Sequence, residues 1–162
     1  MGDENSGQDV RYMEEALVLA RAAGAAGEVP VGALVVLEGH IVGRGSNAPI
    51  GRCDPTAHAE VLALREAAHC VGNYRLPGAQ LFVTVEPCVM CVGAMVQARV
   101  RRVVYGCAEP RTGAMGSVYQ IAMGTELNHR IEVCAGICAD ASSLLLQQFF
   151  RARRRGEVRE PG

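Results

Sequence analysis

Two short segments, His58-Ala59-Glu60 and Pro87-Cys88-Val89-Met90-Cys91, limit the folds open to this chain more than any other feature. If they serve one site, two helix beginnings must meet in space. Residues i and i+2 do not share a helix face, so His58 and Glu60 can converge only over a helix end, where the first turn opens. Cys88 and Cys91, three apart, do share a face. A loop rich in proline and glycine precedes the first segment, and an apolar run, Leu81 to Val85, precedes the second. The fold must therefore deliver one helix from a loop and one from a strand to a common point.

The residue types say what such a point can hold. Two cysteines and a remote histidine are soft and borderline ligands suited to one zinc ion per chain, and three protein ligands leave the fourth tetrahedral position open, as in catalytic sites. Glu60 can stand beside a water in that position without being a ligand. Cys88 and Cys91 alone would equally suit a redox pair opening a helix after a strand. Cys134 and Cys138 would also allow a closed four-cysteine structural site. Neither alternative accounts for His58 and Glu60, or for Pro87 directly before the first cysteine. The full set is the H-x-E…P-C-x-x-C pattern of zinc-dependent nucleobase deaminases, in which the glutamate moves protons between water, ring nitrogen and departing ammonia.

Composition narrows the setting. With 162 residues, 49% of them hydrophobic and 20% charged, the chain reads as one globular domain over 1–162, with 1–8 and 156–162 expected to be flexible. No apolar run reaches membrane-spanning length. Met1 to Asp9 is acidic and lacks the apolar stretch of a signal peptide, so a cytoplasmic protein with no membrane partner is expected. Met1-Gly2 with Ser6 matches a myristoylation pattern, but with Asp3 and Glu4 beside it and no basic cluster the match reads as chance. Seven cysteines are an odd number for a disulfide framework, and Cys53, Cys70, Cys107, Cys134 and Cys138 read as small core or surface residues. The net charge of −1 gives no general attraction to nucleic acid. The charge is unevenly spread, however: Arg151, Arg153, Arg154, Arg155 and Arg159 make the last segment basic.

Periodicity supplies the scaffold. Met13, Leu17, Ala20 and Gly24 mark an amphipathic first helix with Asp9 as its expected N-cap. Gly32–Leu37 and His40–Gly45 read as a hairpin turning at Glu38-Gly39, and 47–56 as a loop. A helix is expected from Thr56 to Cys70, capped by Asp54 or Thr56. There follow a strand at 81–85, a helix at 88–98, strands at 102–105 and 131–134, and a closing helix over 140–155. Strands and helices alternate after the hairpin, so the class is α/β with a mixed sheet.

Longer stretches carry a family likeness. The segment from Asn47-Ala48-Pro49-Ile50-Gly51-Arg52 through Cys53-Asp54-Pro55-Thr56 to His58-Ala59-Glu60 resembles the bacterial tRNA-specific adenosine deaminases. So do Glu28-Val29-Pro30-Val31-Gly32-Ala33, Asn73-Tyr74-Arg75-Leu76, Glu86-Pro87-Cys88, Arg111-Thr112-Gly113-Ala114, Asn128-His129-Arg130 and Phe149-Phe150-Arg151. The likeness spans nearly the whole chain. It implies a cytidine-deaminase-like three-layer αβα sandwich with a mixed five-stranded sheet, a homodimer, and conversion of the wobble adenosine in a tRNA anticodon stem-loop to inosine. By the same likeness His58, Cys88 and Cys91 match the zinc ligands and Glu60 the catalytic proton shuttle. Asn47 matches the residue that hydrogen-bonds the flipped base, while Val29 and the Ala59 backbone fall where the family lines its base pocket. Glu109 stands where the family usually has aspartate near the target sugar. Phe149, Arg153 and Arg154 on the basic last helix are expected to contact RNA through stacking and phosphates. Two other functions share part of the pattern: a free-base or nucleotide deaminase such as guanine deaminase, and a noncatalytic zinc-stabilised RNA-binding module, which would need no Glu60.

Overall fold

In a computed structural model that describes residues 2–157, five strands form one sheet in the order β2-β1-β3-β4-β5. They are β1 (Gly32–Leu37), β2 (His40–Ser46), β3 (Gln80–Val85), β4 (Arg102–Cys107) and β5 (Glu132–Ala135). β1 runs antiparallel to β2 and β3, whereas β3, β4 and β5 are mutually parallel, so the sheet is mixed. The hairpin turns where the sequence predicts: Glu38 and Gly39 both take positive φ (51° and 78°), which suits the right-handed twist of the paired strands.

Helices cover both faces, giving three αβα layers. Alternate residues of β1 go to opposite sides. Ala33 and Val35 join the cluster with Ala63 and Ala67 of α3 (Ala59–Val71) and Val92 and Met95 of α4 (Val89–Gln97). Leu34 and Val36 join the cluster with Met13 and Ala16 of α1 (Gly2–Ala25). The last helix, α5 (Ala139–Arg154), packs beside α1 over β4. Burial on both faces is why β1, β3 and β4 read as continuous apolar runs.

Close approach sets the position of α3. Gly43 and Gly45 of β2 lie under the helix, and a Cβ at either would fall 2.2 Å and 2.1 Å from the carbonyl oxygens of Ala63 and Ala59. Only hydrogen fits there.

Three expectations about element ends are corrected. Asp9 does not cap α1, which starts at Gly2; its carboxylate instead holds Arg102 of β4 through two hydrogen bonds of 2.9 and 2.7 Å, with both side chains buried. α3 starts at Ala59 rather than Thr56, because Asp54 Oδ1 accepts from the Thr56 amide and hydroxyl (2.8 and 2.7 Å) and holds the chain in a side-chain turn. The 47–56 loop contains a one-turn helix, α2 (Pro49–Arg52). Of the segments expected to be flexible, residues 1 and 158–162 lie outside the described residues.

Candidate active site

The two motif segments meet as their spacing requires. His58 is the N-cap of α3 and Cys88 the N-cap of α4, each with extended backbone. The imidazole and the thiol face each other. Cys88 Sγ and Cys91 Sγ lie 3.6 and 3.5 Å from His58 Nδ1, and the three donor atoms all fall within 4.8 Å of one another. Ligand bonds of about 2.3 Å to sulfur and about 2.05 Å to nitrogen at a tetrahedral angle require a sulfur–nitrogen edge of about 3.6 Å. The donor set and its spacing fit zinc, and His58, Cys88 and Cys91 form a metal-binding site.

Electrostatics favour a cation at this point. Hydrogen bonding from the Cys91 thiol, aided by His58 and the Cys91 amide, outweighs burial and brings the Cys88 thiol down to about 4. The Cys91 thiol is pushed up by that same bond to Cys88 and by burial. Of the two sulfurs, Cys88 is thus the ready anion, and a divalent ion would displace the proton that Cys91 keeps. The open first turns of α3 and α4 add partial positive charge toward the thiolate side.

Glu60, at the second position of α3, is 4% exposed and lines the same cavity as His58, Cys88 and Asn47. Burial raises its carboxyl above the ordinary range, with the His58 charge and its own amide working the other way. A carboxyl tuned upward next to a metal site is suited to taking and returning protons. Asn47 Oδ1 accepts from the Ala59 amide at 3.0 Å, which fixes the side chain and leaves its NH2 as a donor. The Ala59 backbone, expected to line the base pocket, is occupied in holding Asn47. Val31 rather than Val29 lines the cavity; Val29 sits two residues back and packs on the core.

Two carboxylates brace the walls. Glu28, buried, accepts from the amides of Ile50 and Gly51 (3.3 and 2.7 Å) and pins the loop that presents Asn47. Glu86 does the same for the loop after β4. Burial acts to raise its carboxyl, but the Ser117 hydroxyl and three amides outweigh burial and hold it below the ordinary range. Neither residue announces itself in sequence, since a carboxylate beside a turn is ordinarily solvated.

The cavity is small, about 110 Å3. It adjoins a larger groove of about 510 Å3 between the loop after β4 and α5, and Glu109 borders both. Arg111, Arg151, Arg154 and Phe150 line that groove. Of the residues expected to touch RNA, Arg154 is therefore on the groove, Arg153 is half-buried and off it, and Phe149 is 7% exposed on the side of α5 that shares a cleft with Gly24 and Pro30. Phe150, 39% exposed, presents the accessible ring instead. Phe149 and Ser142, seven residues apart, define the buried stripe of α5, and that stripe decides which of two adjacent aromatics faces out.

Comparison with known proteins agrees with this geometry. Residues 6–107 match the model of the cytidine and deoxycytidylate deaminase zinc-binding region. The tRNA-specific adenosine deaminase of Haemophilus influenzae is 45% identical over 147 residues, covering 90% of this chain and 85% of its own. That of Bacillus subtilis is 40% identical over 148 residues, covering 91% and 92%. A structure from studies of A-to-I editing by tRNA:A34 deaminases at the wobble position of transfer RNA superposes with a TM-score of 0.82 at 42% identity, over 84% of this chain and 99% of its own. The guanine deaminase of Nitrosomonas europaea follows at a TM-score of 0.73 and 28% identity, over 86% and 83%. With its metal triad, its fold and these relatives in agreement, the chain belongs to the zinc-binding cytidine and deoxycytidylate deaminase family, among the tRNA-specific adenosine deaminases.

Proposed function

We propose that this chain is a zinc-dependent hydrolytic deaminase that converts the wobble adenosine of a tRNA anticodon to inosine, consuming water and releasing ammonia. The observation that carries the reading is that Glu109 borders two spaces, a small cavity at the metal triad and a basic groove with an exposed aromatic beside it. A free purine needs only the first. A flipped nucleotide in a loop needs both, because its phosphates and neighbouring bases must lie outside the cavity.

His58, Cys88 and Cys91 would hold the zinc ion, which when bound would supply Lewis acidity to activate water. Glu60 supplies the proton traffic. Its carboxylate takes a proton from the attacking water and delivers it to the ring nitrogen next to the amino-bearing carbon; it then carries the remaining proton of the added hydroxyl to the amino group, which leaves as ammonia as the carbon–oxygen double bond forms. Asn47, held by the Ala59 amide, donates to an acceptor on the base edge. Glu109 stands where the sugar enters, and Arg111, Arg151 and Arg154 meet phosphates while Phe150 stacks on an unpaired base.

The protein acts in the cytoplasm as a homodimer in this proposal. Supporting a protein partner, Val118, Tyr119 and Met123 expose large apolar side chains along one loop segment. No described helix is long and apolar enough to cross a membrane. The test is incubation of the zinc-loaded protein with an anticodon stem-loop carrying wobble adenosine, with inosine read by mass spectrometry of nucleosides. Release of ammonia from guanine, with no inosine in the stem-loop, would transfer the assignment to the guanine deaminases.

A further inference from the structure

The segment between β4 and β5 supplies two walls of the cavity, Glu109 and Thr112, yet it belongs to no strand or helix of the sheet layers. A single carboxylate organises it. Glu86, 3% exposed, accepts from the amides of Glu109, Met115 and Ser117 at 3.0 Å each, and from the Ser117 hydroxyl. Four donors on two oxygens come close to saturating a carboxylate. The loop backbone lies directly against it: a Cβ at Gly113 would fall 2.5 Å from the Glu86 carboxyl group.

The anchor of this carboxylate matters as much as its partners. Glu86 is joined to Cys88 through Pro87 alone, and its amide donates to the Cys107 carbonyl at the end of β4 (2.9 Å). The Ala114 amide donates to the Pro87 carbonyl (2.8 Å), and Gly113 forms an isolated antiparallel bridge with Cys88. The same three residues therefore carry a metal ligand on one side and grip the cavity wall on the other. A wall tied in this way is referenced to the metal and not merely to the sheet.

We propose that Glu86 is a positioning residue for the deamination: its buried carboxylate sets where Glu109 and Thr112 stand relative to Cys88, and so the orientation of the base at the reacting centre. This rests on the deaminase reading above. Two of the three groove arginines, Arg151 and Arg154, stand on α5 and not on this loop, so Glu86 acts chiefly on the chemical step and reaches RNA binding only through Arg111. Misplacement of a reacting group by about 1 Å costs on the order of 100-fold in rate.

The test uses Glu86→Gln and Ser117→Ala in the full zinc-loaded chain, with kcat and KM measured on the wobble-adenosine stem-loop and zinc measured per chain. Glu86→Gln keeps the shape but turns an NH2 toward amide donors, so at least one of them loses its acceptor. Expected is a fall in kcat of about 10- to 100-fold with zinc unchanged and KM altered much less than kcat, and faster amide exchange at Glu109, Met115 and Ser117. Ser117→Ala removes one donor and should lower kcat several-fold in the same pattern. A purely structural role would lower the melting temperature without lowering kcat per zinc-loaded chain well below that temperature, and that result would overturn the proposal. So would loss of zinc in step with activity, because the carboxylate would then serve Cys88 and not the wall. If Glu86→Gln fails to fold, an unchanged kcat in Ser117→Ala overturns it. A wild-type protein active on guanine and inactive on RNA would refute the substrate assignment instead, and the two variants would then be compared on guanine.

Discussion

Replacing Gly45 by alanine adds one methyl group to a strand that contacts no substrate, and should nevertheless disable the site. The new Cβ would lie 2.1 Å from the Ala59 carbonyl oxygen and 2.7 Å from the Ala63 nitrogen. Carbon–oxygen contacts in proteins open at about 3.3 Å, so the first turn of α3 must retreat by roughly 1 Å. That turn begins at His58 and includes Glu60, and its Ala59 amide holds Asn47. Metal ligand distances tolerate only about 0.2 Å, and a displacement of about 1 Å costs on the order of 100-fold in rate. Overpacking should also cost about 1–3 kcal/mol of stability. We expect zinc to be lost at lower chelator concentration than in wild type, and kcat on the stem-loop to fall by about 100-fold. Gly7→Ala makes the same chemical change in α1 with open space around it, and should raise stability by about 0.5–1 kcal/mol with activity intact. Wild-type zinc retention, kcat and melting temperature in Gly45→Ala would refute the view that glycine under α3 sets the ligand geometry.

Other perturbations separate the parts of the site. Cys91→Ala should lose zinc altogether, measured by elemental analysis, whereas Glu60→Ala should keep about one zinc per chain and lose at least about 100-fold in kcat. Asn47→Ala should retain zinc and fail in base recognition, seen as weaker competition by a product stem-loop carrying inosine. Alanine at Arg151 and Arg154 together should weaken stem-loop binding and flatten its dependence on salt, with Arg153→Ala much milder, in fluorescence titrations across a salt series. Asp9→Ala leaves the Arg102 guanidinium buried without its carboxylate and should cost roughly 3 kcal/mol in denaturant unfolding, the low end for a broken buried pair. Gln80 Oε1 at 3.0 Å and Glu132 at 3.5 Å still attend Arg102 and limit that loss.

Local chemistry was readable from the sequence because it depends on residue type and short spacing. His58, Cys88 and Cys91 are ligand types, their offsets dictate which can share a helix end, and apolar runs against Pro and Gly punctuation locate the strands and most helices. The hairpin turn at Glu38-Gly39 follows from the same local rules. What local rules could not supply is the pairing of distant partners. Asp9 looks like a cap until Arg102, far along the chain, arrives to neutralise it inside the fold. Glu28 and Glu86 look like solvated carboxylates until loops from elsewhere fold over them and offer amides. Phe149 and Phe150 are equivalent by composition, and only the phase of α5 against α1 and the sheet buries one and exposes the other. Chain connectivity sets spacing along the backbone, but burial and hydrogen-bond satisfaction are properties of the packed whole. For that reason the metal ligands were legible one segment at a time, while the walls of the cavity around them were decided by tertiary contact.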